Sequence, residues 1–353
     1  MWLYLLRFGN RSGVEFHSSC CQQHLRFGYC DTRVEFGQLP NLVCQAYDRR
    51  VPATAATSPT ARRFELARRL RELRAEAGKS VDEAAQELEC SPTKISRIET
   101  GQRVATALDA KVLGRFYGLS ERAQADLMTL VTEARKRGWW HDYRSLDEQT
   151  KTFIGLESAA ARIFEVEALR LPGLLQTEAY ANALVHRLRS PNFWEDEGNP
   201  DPDEIVATRL KRQQRVNDGA LELLAVVDEA ALSRRIGEPQ VIVDQIEHLI
   251  KMAEYPNITL QVTTFDLGSH PAMDSGFTIM EFNTDMADVV YLEGLAGNSI
   301  IRADDQPNVV QKFRDAALYL TNESALSPER TLTWLNQFQQ KIRTASPDRR
   351  PPR

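Results

Sequence analysis

From Arg62 onward the apolar positions fall into helical register. Leu66, Leu70, Leu73 and Ala77 recur at i, i+4, i+7 and i+11, so they share one face, and Gly78 offers a stop. In SVDEAAQEL, Ser80 is placed to cap a second helix with Glu83 reaching back to it, and Val81, Ala84, Ala85 and Leu88 form its inward stripe. A short turn through Glu89 and Cys90 leads to Ser91 as the next N-cap. Pro92 takes the first helical position, where its missing N–H costs nothing, and Gly101 closes this third helix. Two more helices are predicted at Leu108 to Tyr117 and at Glu121 to Arg137, the last burying Leu127, Leu130, Val131 and Ala134. Five helices joined by tight turns predict a compact all-α domain over residues 61–137.

Past residue 138 the pattern changes. Runs rich in β-branched and aromatic residues appear at 161–166, 221–227, 258–265, 276–282 and 288–293, with helical periodicity at 177–188, 203–217, 239–254, 307–322 and 328–342. Strands in the middle and helices on the flanks predict an α+β domain over 138–343, with a mainly antiparallel sheet covered on one side by helices. Trp139 and Trp140 are expected to anchor the junction between the two domains. Residues 190–203 read as an acidic, proline-broken loop, and 344–353 as a disordered tail.

Residues 1–60 lack any period. Four of the five cysteines lie there, and His17, Cys20, Cys21, His24 and Cys30 fit neither paired-cysteine nor paired-histidine zinc spacing, so no metal is expected. The stretch reads as a disordered extension, or as a product of a mis-assigned start with translation beginning near Val51; VPATAATSPT (51–60) is a flexible lead-in. The opening MWLYLLRF lacks a basic flank and is too short for a secretory signal, and no apolar run is long enough to span a bilayer. A cytoplasmic protein with no membrane partner is expected.

Charge sharpens the picture. The net charge is -5, yet residues 61–137 carry 16 Lys/Arg against 12 Asp/Glu, while residues 138–353 carry 22 against 33. A basic segment in an acidic chain suits a polyanion partner for that segment alone. The second and third helices fit a helix-turn-helix whose core is Ala84, Ala85, Leu88, Ile95 and Ile98. Thr93, Lys94 and Arg97 then face away from the isoleucines, able to reach base edges in the major groove. Arg97 suits a bidentate guanine contact, Thr93 and Lys94 suit bases or phosphates, and Gln102 and Arg103 suit the backbone. Double-stranded DNA is therefore the expected partner.

Catalytic motifs are missing: there is no Gly-rich phosphate loop, no G-x-S-x-G and no H-E-x-x-H. Asp266, His270, Asp274 and Ser275 crowd one loop, which is poor evidence for a triad. No enzyme and no cofactor are expected. In the larger domain, Gln176, Arg209, Arg212, Gln213, Asp228 and Glu229 are the candidate signal or partner site, with the arginines and Gln213 expected to pair with Asp228 and Glu229 and fix a helix on the sheet.

The run SVDEAAQELECSPTKISRIETGQR resembles the Xre-type helix-turn-helix of bacterial regulators. That resemblance implies operator binding as a homodimer, without catalysis. The ordered pieces LPGLLQTEAYANAL, RLKRQQR, VDEAALSRRIG, PNITLQVTTF and VVYLEG resemble a domain of unknown function that follows such units in actinobacterial regulators described as antitoxin-like or WhiJ-like. It implies transcriptional control and a small protein partner encoded by a neighbouring gene. The alternatives are an antitoxin-like protein-binding module that also binds DNA for autoregulation, and an enzyme fused to a DNA-targeting domain.

Overall fold

The computed structural model describes residues 57–188, 201–294 and 297–345, all within one compact unit. Residues 1–56, most of the 190–203 loop and the tail from 346 lie outside the described residues, and with them the cysteine-rich segment and the possible start near Val51.

Five helices come first: α1 (Pro59–Glu76), α2 (Val81–Glu87), α3 (Pro92–Glu99), α4 (Ala107–Phe116) and α5 (Glu121–Ala134). Helix α1 begins earlier than the pattern predicted. Ser58 caps it by accepting from the Ala61 N–H at 3.1 Å, Pro59 occupies the first turn, and Ser58 and Thr60 are buried, so the end of the lead-in is part of the folded helix. The capping box at α2 is present in both directions, with Ser80 N–H to Glu83 at 2.8 Å and Glu83 N–H to the Ser80 hydroxyl at 3.1 Å. Leu66, Leu70, Leu73, Ala84, Ala85, Ile95, Ile98, Leu113, Leu127 and Val131 close over one another as a core.

After a short 3-10 turn at Trp139–Asp142 comes a helix the apolar pattern did not predict, α6 (Glu148–Glu157), capped by Asp147 accepting from Thr150 N–H at 2.7 Å. Its first half is polar and threonine-rich, and its apolar residues cluster at 153, 154 and 156, too few for a visible stripe. The order continues β1 (Arg162–Glu167), α7 (Glu178–Leu188), α8 (Pro202–Asn217), β2 (Glu222–Asp228), α9 (Glu229–Ser233), α10 (Pro239–Met252), β3 (Ile258–Thr263), β4 (Phe277–Glu281), β5 (Val289–Leu292), β6 (Ser299–Arg302), α11 (Pro307–Tyr319) and α12 (Pro328–Ala345).

The six strands form one sheet in the order β3-β2-β1-β4-β5-β6. Three of the five pairings are antiparallel, but β1 with β2 and β2 with β3 run parallel, so the sheet is mixed. Parallel neighbours need crossovers; α7 and α8 make the first, and α9 and α10 the second, and both lie on the same face. On that face Ile163, Leu223, Ala225, Val227, Leu260, Val262, Met280 and Val289 pack under Tyr180, Val216, Ile246 and Leu249. The opposite face is also covered, Phe164, Val166, Val226, Ile279 and Val290 packing under Val310, Ala317 and Leu320. This corrects the expectation of helices on one side only. The near-continuous apolar run at β2 is what burial on both faces requires.

One helix serves both cores. Leu66, Leu70 and Leu73 of α1 point into the five-helix core, while Ala61 and Phe64 belong to the core of the α+β domain. The N-terminal turn of α1 lies so close to α6 that a Cβ on Gly155 would stand 2.1 Å from the Thr60 hydroxyl, and the Ser58 hydroxyl donates to the Gly155 carbonyl. Trp140 is buried beside this contact with Leu146 and Ile154, at the junction where the sequence put it.

Candidate nucleic-acid interface

Helix α3 is held from behind and open in front. Ile95 and Ile98 are 0% and 1% exposed and seat it on α1 and α2. Glu99, at its last turn, is gripped by Arg74 of α1 through a forked pair, Nε to Oε1 at 2.7 Å and Nη2 to Oε2 at 2.9 Å. The third arm of Arg74 donates to the Lys79 carbonyl at 2.9 Å, so one guanidinium ties α3, α1 and the turn before α2. Its hydrogen bond to Glu99 raises the already high Arg74 pKa, keeping the cation charged.

The turn between α2 and α3 carries strain. Glu89 sits at φ 49, in the left-handed region that disfavours a Cβ. The far end of α3 solves the same problem with glycine. Gly101 has φ +76, and a Cβ there would lie 2.8 Å from the Phe64 ring, so both torsion and space demand glycine.

In front, Ser91, Pro92, Thr93, Ser96 and Arg97 are exposed, as are Gln102 and Arg103 just past the helix. Among the described residues the Arg97 guanidinium has no hydrogen bond or ion pair. Lys94 differs from expectation. Its ammonium pairs with Asp109 at 2.7 Å, and its side chain is only 24% exposed. Asp109 also accepts from Thr106 N–H to cap α4. Burial alone would raise the Asp109 carboxyl, but Lys94 and Thr106 together hold it below the usual carboxylate range. Lys94 therefore joins α3 to α4, because position 94 lies at the flank of the helix and within reach of that buried acid.

The family model of a helix-turn-helix domain matches residues 65–127, from within α1 through α4 and the first half of α5. A second match, to a domain of unknown function, DUF5753, spans residues 150–337, more than half of the chain. The chain belongs to the DUF5753 family. No curated protein and no solved structure matches it. The DUF5753 match runs from α6 through most of α12, so this domain is α+β with a mixed six-stranded sheet.

Inside the DUF5753 domain the six candidate residues fall into two groups. Gln176, Arg209, Arg212 and Gln213 are together: Arg209 Nη1 donates to Gln176 Oε1 at 2.8 Å, and Gln213 Nε2 donates to the Gln176 and Gly173 carbonyls at 2.8 and 3.0 Å. Asp228 and Glu229 are elsewhere. Asp228 caps α9, accepts from the Thr263 hydroxyl at 2.9 Å and meets His270 Nε2 at 2.9 Å; Glu229 accepts from Phe265 N–H at 2.9 Å. The expected pairing of Arg209, Arg212 and Gln213 with these acids is thus incorrect. Arg212 instead forks onto Glu157 at 2.7 and 2.6 Å and lies over the Phe153 ring, partners from the helix the sequence did not reveal. Among the described residues, Asp266, Asp274 and Ser275 make no hydrogen bond or ion pair with His270 or Asp228, and His270 Nδ1 is buried without a hydrogen-bond partner.

The arginine group lies near two further carboxylates, Glu165 and Glu167. Glu165 and Glu167 of β1 point to the same face as Ile163. Glu165 is 8% exposed and has no hydrogen bond or ion pair among the described residues. Burial raises both carboxyl pKa values; each also has an acid neighbour, Glu167 beside Glu165 and Glu293 beside Glu167. Among the described residues Arg209 has no carboxylate within ion-pair distance; burial first, and then Arg212 and Arg170, push its pKa down to about 10. The alternation RIFEVE places these acids inward at 165 and 167, a signal that was present in the sequence.

Proposed function

We propose that this protein is a sequence-specific transcriptional regulator that inserts α3 into the DNA major groove. The observation that carries the reading is an exposed row, Thr93, Ser96 and Arg97, on a helix whose opposite side is fixed by Ile95, Ile98 and the Arg74–Glu99 fork. A side chain reads bases only if its backbone is held still, and this helix is held by both apolar and ionic contacts. Gln102 and Arg103 follow Gly101 and are suited to phosphate contacts that set register. Lys94 is assigned to holding α3 on α4 rather than to base reading. The chain works by binding, without catalysis or cofactor, in the cytoplasm where its DNA lies, and as a homodimer that spaces two recognition helices by about 34 Å, one turn of DNA.

The DUF5753 domain, in the same reading, receives a signal or a small protein partner. The resemblance to Xre-type, antitoxin-like (WhiJ-like) actinobacterial regulators supports the protein partner, and the buried group around Gln176, Arg209 and Glu165 is the proposed receiving site. The test begins with DNA. Duplexes selected from a random pool by the wild-type protein are bound again by Arg97→Ala at matched salt. A base-reading arginine is worth about 1–3 kcal/mol, roughly 5- to 150-fold in affinity. Unchanged affinity for the selected duplex would refute the docking of α3.

A further inference from the structure

The recognition helix is fastened to the α+β domain as well as to its own core. Arg302, the last residue of the edge strand β6, is a cation whose side chain is 6% exposed. Its guanidinium lies 5.1 Å from the centre of the Phe64 ring in α1. Nη1 donates to the carbonyl of Thr100, the C-cap of α3, at 3.4 Å. Nη2 pairs with Asp304 at 2.9 Å and Nε with Asp305 at 3.5 Å, and Asp305 in turn pairs with Arg71 of α1 at 2.6 Å. Phe64 is the same ring against which Gly101 ends the recognition helix. Three bodies therefore meet at one cation: the sheet edge, the helix shared by the two cores, and the last turn of α3.

Resting on the DNA-reading assignment above, we propose that Arg302 is a positioning residue through which the α+β domain sets the angle of α3 in the groove. Eight residues of α-helix are roughly 12 Å long. A tilt of about 10° at the Thr100 end moves the Thr93 end by about 2 Å. Hydrogen bonds to base edges tolerate only a few tenths of an ångström, whereas phosphate attraction tolerates far more. The chemistry of the contact matches the task. A forked cation sandwiched between a ring and two carboxylates holds direction as well as distance, and a lysine cannot reproduce it. Any displacement of the β6 edge then reaches the recognition helix without passing through the five-helix core.

This predicts a loss of specificity rather than of general affinity. The full chain with Arg302→Ala, Arg302→Lys or Asp305→Ala is compared with wild type by fluorescence anisotropy. The probes are a duplex selected by the wild-type protein and a scrambled duplex of equal length. For Arg302→Ala the ratio of the two affinities should fall tenfold or more, with scrambled-duplex affinity within twofold of wild type. Arg302→Lys should stay impaired, and Asp305→Ala, which leaves the buried arginine in place, should lower the ratio two- to fivefold. A merely destabilising change would lower binding to both duplexes together through the folded fraction. An unchanged ratio in Arg302→Ala or, should that variant not fold, in Asp305→Ala, beside a selective wild type, would overturn the inference alone. A wild type with no preference for any duplex would overturn the DNA assignment beneath it.

Discussion

The Arg74–Glu99 fork offers a direct test of what holds α3 in place. The two side chains are 17% and 7% exposed, and Arg74→Ala removes two charge-assisted bonds to Glu99 and one to the Lys79 carbonyl. Glu99 is then left as a buried acid beside Tyr117, whose hydroxyl is itself buried without a partner. Breaking a buried pair costs about 3–5 kcal/mol; solvent still reaches part of the Arg74 side chain and screens the charge, so about 2–3 kcal/mol is expected here. Urea unfolding followed by circular dichroism at 222 nm measures it. A double-mutant cycle with Glu99→Ala should return a coupling of about 1–3 kcal/mol, because each single change strands the other partner. Arg74→Met combined with Glu99→Leu should recover most of the loss, since an apolar pair of similar volume avoids desolvating two charges. A cost below about 0.5 kcal/mol for Arg74→Ala, the value of an ordinary surface pair, would refute the claim that this fork holds α3.

Two further outcomes follow from backbone strain and from buried charge. Glu89→Gly should stabilise the protein by about 0.5–1 kcal/mol, since the left-handed torsion at residue 89 strains any Cβ and the relief exceeds the added freedom of the unfolded chain; thermal melting would show it as a small rise in midpoint. Glu165→Gln should stabilise increasingly as pH rises. The unfolded carboxyl titrates near the ordinary value of about 4.3, while the folded one holds its proton to higher pH. Wild-type stability therefore falls across that window as the folded state must ionise a buried acid. The variant escapes this fall, so its advantage should be near zero at pH 4 and on the order of 1–3 kcal/mol at pH 9 by urea unfolding; an advantage independent of pH would contradict it.

Much of the molecule is legible in the sequence. The spacing of Leu66, Leu70 and Leu73, the capping pair Ser80 and Glu83, and Pro92 after Ser91 encode local geometry that depends on near neighbours in the chain. These features reappear as α1, α2 and α3. The five β-branched runs likewise became β1 to β5. What stayed hidden was short or polar. SIIR is four residues at a sheet edge, too brief to alternate visibly, and α6 hides its few apolar residues behind a threonine-rich half.

Sequence alone determined helix α3: which of its sides is apolar, where it starts and where Gly101 must end it, because helix period, capping and left-handed torsions are properties of adjacent residues. Tertiary structure alone decided who pairs with whom. Lys94 went to Asp109, Arg212 to Glu157 and Arg302 to Thr100, across separations of 15, 55 and 202 residues. A long cationic side chain carries no record of its partner; a buried acid or a helix-end carbonyl claims it only when packing brings the two within about 3 Å and removes the water between them.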